Sequence, residues 1–200
     1  MTRQDLVTLA RNTLQQPDLA LRQLQSLDLP MPVRWTGVLL VGALSSLISA
    51  LMAQMFPPTG ADAGISYLTQ RPLLFAGIQV FGMVVTAWLV ATVGRAFGGR
   101  GDFPDSLLVV TWIDFLLVLM HAMQVVVLLV SPLLASALAL AIIVVMVWMT
   151  VQMVKALHGF QSAAMVFIGV IGTGLMATIF LSVLANILGL LPEIPVEVSQ

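Results

Sequence analysis

A chain of 200 residues that is 60% hydrophobic and 8% charged excludes a water-soluble domain, which carries about 25% charged residues and needs a polar shell around its core. The formal net charge of −1 leaves no basic footprint for nucleic acid. Cys is absent, so disulfides, iron–sulfur clusters and thiolate zinc sites are excluded. What remains is an all-α integral membrane protein.

Residues 1–32 read as an amphipathic arm. Leu6, Leu9, Ala10 and Leu14 recur at helical spacing. Pro17-Asp18 then starts a second short helix with Leu21, Leu24 and Leu27. Arg11, Gln15, Arg22 and Gln25 fall on other faces. Such helices either lie on the membrane surface or fold back on the protein or a partner. The first 30 residues lack a signal peptide's apolar run and cleavage site, so the first apolar segment is expected to direct insertion and to stay in the mature protein.

Five segments of roughly 20 residues are long and apolar enough to cross the bilayer: about 33–56, 72–94, 106–130, 133–157 and 163–190. Together they form a five-helix transmembrane domain over 33–191, followed by a short tail at 192–200. Pro57-Pro58 ends the first, and Pro192 and Pro195 follow the fifth. Ser131-Pro132 alone separates the third and fourth, which predicts a tight hairpin. With five crossings, Arg3, Arg11, Arg22, Arg34, Arg95, Arg100 and Lys155 share one side and Arg71 lies on the other. Basic excess marks the cytoplasmic face. The expectation is a multi-pass protein of the cytoplasmic (inner) membrane, amino terminus inside and carboxyl terminus outside.

Within the first helix Gly42, Ser46 and Ala50 are spaced by four, as are Gly169 with Thr173 and Gly174 with Thr178 in the fifth. Small residues so spaced let backbones approach closely, within the bundle or between copies in a homodimer. Arg34-Trp35 and Arg71 read as interface anchors. In the third helix Asp114, His121 and Gln124 form a polar stripe, and an ionised Asp near a helix centre costs about 2.5–3.5 kcal/mol. The stripe serves either as a proton-sensitive path or as hydrogen-bonding glue between helices.

The densest cluster of glycine and charge is Gly98-Gly99-Arg100-Gly101-Asp102-Phe103. A phosphate-binding loop would need a preceding strand and a nearby Lys, and the Arg-Gly-Asp tripeptide falls on the cytoplasmic side. Each residue fits a capped turn instead. Gly98 and Gly99 end a helix, the arginines suit its carboxyl end, and Asp102 caps the next helix with Asp105 three positions later. The second cytoplasmic turn carries Lys155, His158 and Gly159, with His158 in a capping role that complements the helix dipole.

A Gly-Gly-x-Gly turn followed by an aromatic (Gly98, Gly99, Gly101, Phe103), then Leu107-Leu108, resembles the Yip family, the Ypt-interacting protein domain. The Leu157-His158-Gly159 turn and the cytoplasmic arm also resemble that family, over about Leu19 to Leu190. Two departures are plain. Members often place a proline early in the third helix, where this chain reads Trp112-Ile113-Asp114-Phe115-Leu116. The Asp-Leu-Tyr-Gly-Pro signature of the small-GTPase-binding eukaryotic members is absent, so the resemblance is to the bacterial branch and does not imply GTPase binding.

No HExxH site, GxSxG elbow or second intramembrane carboxylate supports catalysis. No enzyme activity, cofactor or metal is expected. The expected role is a scaffold or adaptor engaging membrane lipids, other membrane proteins or a second copy. The alternatives are a proton- or cation-linked transporter using Asp114, His121 and Gln124, and an accessory subunit in which Asp114 pairs with a basic residue of another chain.

Overall fold

The computed structural model describes residues 2–55 and 71–187. Among them run seven helices and no strand: α1 (Arg3–Gln15), α2 (Pro17–Gln25), α3 (Met31–Met55), α4 (Pro72–Ala96), α5 (Phe103–Val130), α6 (Pro132–His158) and α7 (Ala163–Ile187). The Pro57-Pro58 stop, the prolines after the fifth crossing and the 192–200 tail lie outside the described residues. Five helices, α3 to α7, are long and apolar enough to cross a membrane. The protein is a polytopic helical membrane protein. Their outer faces are covered with side chains such as Leu47, Leu73, Leu133 and Ile168, all exposed, which only lipid can solvate.

Local chemistry sets each boundary. Thr2 and Asp5 close a capping box at α1: Asp5 N–H donates to Thr2 Oγ1, and Thr2 N–H donates to the Asp5 carboxylate at 2.6 Å. These bonds hold the Asp5 carboxyl below its usual range. Gln16 leaves helical geometry at φ −141°, and Pro17 starts α2 where its missing N–H costs nothing. Ser131 ends α5 through its N–H on the Val127 carbonyl (2.9 Å) and caps α6 through its Oγ. One residue thus turns the chain between antiparallel helices. α5 begins at Phe103, ahead of the expected position near Ser106, because Asp102 caps it and Pro104 fits its first turn.

α5 is the central post. It packs against α3, α4 and α6, while α7 leans on α4 and α6. α3 and α4 approach closely at Gly42, where an added Cβ would collide with Val80 Cγ2, and one turn on the Ser46 hydroxyl donates to the Pro72 carbonyl. The small residues of α3 therefore serve packing inside the chain.

The arm is part of the core. Leu9, Ala20, Leu21 and Leu24 are buried with Trp112, Leu116, Met149 and Met153 in one cluster. Two tryptophans fasten it. Trp112 Nε1–H donates to Thr13 Oγ1 (2.9 Å), whose own hydroxyl donates to the Leu9 carbonyl (2.8 Å). Trp148 Nε1–H donates to the Leu14 carbonyl at 3.3 Å. α5 and α6, at 28 and 27 residues, are each about 40 Å long against a hydrocarbon core of about 30 Å. Their excess length gives the arm a wall to lie against.

Thr13 is fully buried, so Thr13→Val keeps its shape and strands the Trp112 N–H. The expected loss is about 1–3 kcal/mol, read as a lower melting temperature in detergent together with faster proteolysis of residues 2–25.

Candidate functional site

The residues singled out in the two glycine-bearing turns come together. α4 ends with the paired bonds of a Schellman motif: Gly99 N–H donates to the Gly94 carbonyl (2.8 Å) and Gly98 N–H to the Arg95 carbonyl (2.9 Å). Gly98 takes the required positive φ of 84°. α6 ends the same way: Phe160 N–H donates to the Lys155 carbonyl (3.1 Å), Gly159 N–H to the Ala156 carbonyl (3.3 Å), and Gly159 has φ 71°. Two helices thus stop by one device, side by side.

His158 locks them together. Its carbonyl accepts from Arg100 N–H (3.3 Å) and its ring Nδ1 accepts from Gly101 N–H (3.2 Å). The imidazole stacks on Phe160 with centroids 5.3 Å apart and is 2% exposed. Gly94, Gly99 and Gly101 make room for it: a Cβ on Gly94 or Gly99 would overlap the ring, and one on Gly101 would sit 2.7 Å from Cε1. A ring that accepts at Nδ1 carries its proton on Nε2 and is neutral. His158 is therefore an acceptor that ties two turns, where the sequence suggested a cation on the helix dipole. Nε2 lies toward the Val90 carbonyl without closing a hydrogen bond of ordinary geometry.

A second polar knot sits beside it. Asp102 caps α5 by accepting from Asp105 N–H (2.9 Å). The Asp105 carboxylate does not return to the cap as a capping box would require; it accepts from Arg34 Nη1 (3.0 Å) and Gln25 Nε2 (2.6 Å). Arg34 also donates through Nε to the Leu29 carbonyl (2.8 Å). Arm, α3 and α5 are thereby joined at one carboxylate. Arg34, whose side chain is 11% exposed, is an internal strut, not the interface anchor its sequence context suggested. Sequence reasoning missed this triad, although Arg34 and Asp105 each stand in the first turn of a helix at the arm end.

The intramembrane stripe does not assemble. Asp114 is half-buried, and no hydrogen bond or ion pair of its side chain occurs among the described residues. His121 is exposed on the outside of α5. Gln124 Nε2 donates to the Ala135 carbonyl across the α5–α6 hairpin at 3.4 Å. These three side chains join neither one another nor a shared polar path.

The family model of the Yip1 domain matches residues 11–185, from the middle of α1 through nearly all of α7. The chain belongs to the Yip1 domain family. Membership supports a membrane protein of a generally non-enzymatic kind. No curated protein and no solved structure matches the chain. In this Yip1 domain the end of α1, α2, both glycine turns, α3 to α6 and nearly all of α7 fall inside the matched region.

Gly94→Ala is expected to cost about 1–3 kcal/mol, because the His158 ring must move. Gly172→Ala, which meets open space, is expected to be neutral or stabilising by up to about 1 kcal/mol. Thermal unfolding of both in the same detergent checks the contrast.

Proposed function

We propose that this Yip1-domain protein is a non-enzymatic scaffold of the cytoplasmic membrane, presenting its arm and glycine turns to anionic lipids and membrane-protein partners on the cytoplasmic face. The carrying observation is the arm's construction. Its inner face is locked into the bundle through Thr13–Trp112, while Arg3, Arg11, Arg22, Val7 and Leu19 stay exposed. A rigidly mounted surface of arginine and aliphatic groups, interspersed with Asp5, Asp18 and Asp28, suits a membrane-side contact. The basic groups of the arm and both turns share one end, which supports a cytoplasmic amino terminus. Nucleic acid and small GTPases fall outside the proposal, for want of a basic patch of the first kind and of the signature of the second.

Reversing the exposed charges together (Arg3→Glu, Arg11→Glu, Arg22→Glu) is expected to leave thermal stability unchanged. The membrane proteins and anionic lipids that co-purify with wild type in mild detergent should drop at least tenfold. Equal recovery from both proteins would overturn the reading. For sidedness, a tag on the amino terminus should resist protease added outside intact cells while a carboxyl-terminal tag is cut.

One observation favours a second reading, that of an accessory subunit. Asp114 has no partner among the described residues, and a half-buried carboxylate in a bundle is stabilised by a basic group on a neighbour. The transporter reading lacks comparable support, since His121 faces outward and Gln124 is spent on Ala135. An Asp114→Asn variant that loses one specific co-purifying subunit, with the others retained, would select the accessory role.

A further inference from the structure

α7 does not close against its neighbours. Between it, α4 and α6 lies a cavity of about 770 Å³, lined by Val90 and Gly94 of α4, Val154 of α6, and Val166, Gly169 and Gly174 of α7 among others. The small residues of α7 read in sequence as close-packing contacts behave differently from those of α3. A Cβ built on Gly169 or on Gly174 meets no atom within 4 Å. Their missing side chains keep this space open.

The cavity has the dimensions of one leaflet. Along α4 it runs from Thr86 to Phe97 and along α7 from Met165 to Thr178, lengths of about 16 and 20 Å at 1.5 Å per residue. Half of a hydrocarbon core is about 15 Å. It begins at the arm end, where exposed Gln161 and Ser162 form its mouth, level with the ends of α4 and α6 that carry Arg95 and Lys155. Deeper inside the polar groups are few: the Thr150 hydroxyl donates to the Met146 carbonyl and the Thr178 hydroxyl to the Gly174 carbonyl, and the hydroxyls of Thr86 and Thr173 are the others. Water needs two or more polar partners to occupy such a space and finds few here. A hydrocarbon chain needs none.

We infer that the space between α4, α6 and α7 holds one acyl chain of a phospholipid from the arm-end leaflet, with its headgroup at Gln161 and Ser162. No arm residue lines the cavity, so failure of the scaffold reading would leave this one standing, and the reverse. The occupant is a lipid because the cavity is leaflet-deep, lined mainly by apolar side chains and bounded by Gln161 and Ser162 at the arm end.

The test uses the full chain in nanodiscs containing phosphatidylglycerol with a photoreactive group midway along one acyl chain. Arg95 and Lys155, on the helix ends at the level of the mouth, make that headgroup the suitable probe. In wild type, adducts should concentrate on α4 and α7 residues of the lining, such as Val90 and Val166, over the outer face of α5 at Leu119 and Met123. Gly169→Leu combined with Gly174→Leu fills the space and should cut lining adducts at least tenfold. Gly172→Leu, on the same helix outside the lining, should leave them unchanged. Adducts spread evenly over the exposed faces of wild type would overturn the proposal without recourse to any variant. So would lining adducts that persist in a folded double variant, or cross-links placing a second copy's helix in the cavity.

Discussion

Hydrocarbon offers no hydrogen bonds, so every backbone group that a helix end leaves open must be met by the chain itself or by the aqueous edge. At the arm end this demand falls on α4, α5 and α6 at once, and a few residues answer it. Asp102 caps the one helix of the three that starts there. Two Schellman turns finish helices that stop, and the His158 carbonyl and ring take the next two N–H groups, those of Arg100 and Gly101. Because one side chain serves both turns, the separation of α4 and α6 at this end is fixed by the width of an imidazole lying on three glycines. Everything above that level, including the gap that α7 spans, inherits its spacing.

The two polar knots divide the labour. His158 fixes α4 to α6 without charge, deep among apolar atoms, where a neutral acceptor is far cheaper than an ion. Asp105 fixes the arm to α3 and α5 nearer to water, where a charged pair with Arg34 is tolerable and geometrically selective. The tryptophans extend this logic to the arm. An indole at a membrane interface ordinarily directs its N–H to headgroups or water, and here Trp112 and Trp148 direct theirs to Thr13 and Leu14. The arm thus stands where lipid headgroups would otherwise sit.

Much of the fold was legible because long apolar runs, prolines and capping residues act locally. The Ser131 hinge, the Asp102 cap and the Gly98 and Gly159 stops all follow from residue type at a helix boundary. What could not be read depended on which helix faces which. Gly42 and Gly169 sit in similar small-residue patterns, yet one meets Val80 and the other meets nothing. Spacing shows that a surface is thin, not what fills it. In the same way Asp114, His121 and Gln124 share a helical face by arithmetic, but His121 faces outward and Gln124 reaches another helix. The Asp105 hub escaped because its cap partner offered a sufficient local explanation, while its real partners lie 71 and 80 positions away.

The arm is made well before the groups that fasten it. Its two indole donors lie 99 and 134 positions downstream of the groups they bind. At a synthesis rate of 5–20 residues per second, the second of them follows its acceptor by roughly 7–27 s. Until Trp112 is made, residues 2–25 are an unanchored amphipathic segment on a nascent polypeptide, with Leu9, Leu21 and Leu24 still uncovered. Any encounter of the arm with a chaperone, a targeting factor or a bare membrane surface in that interval therefore involves a face that the finished molecule hides.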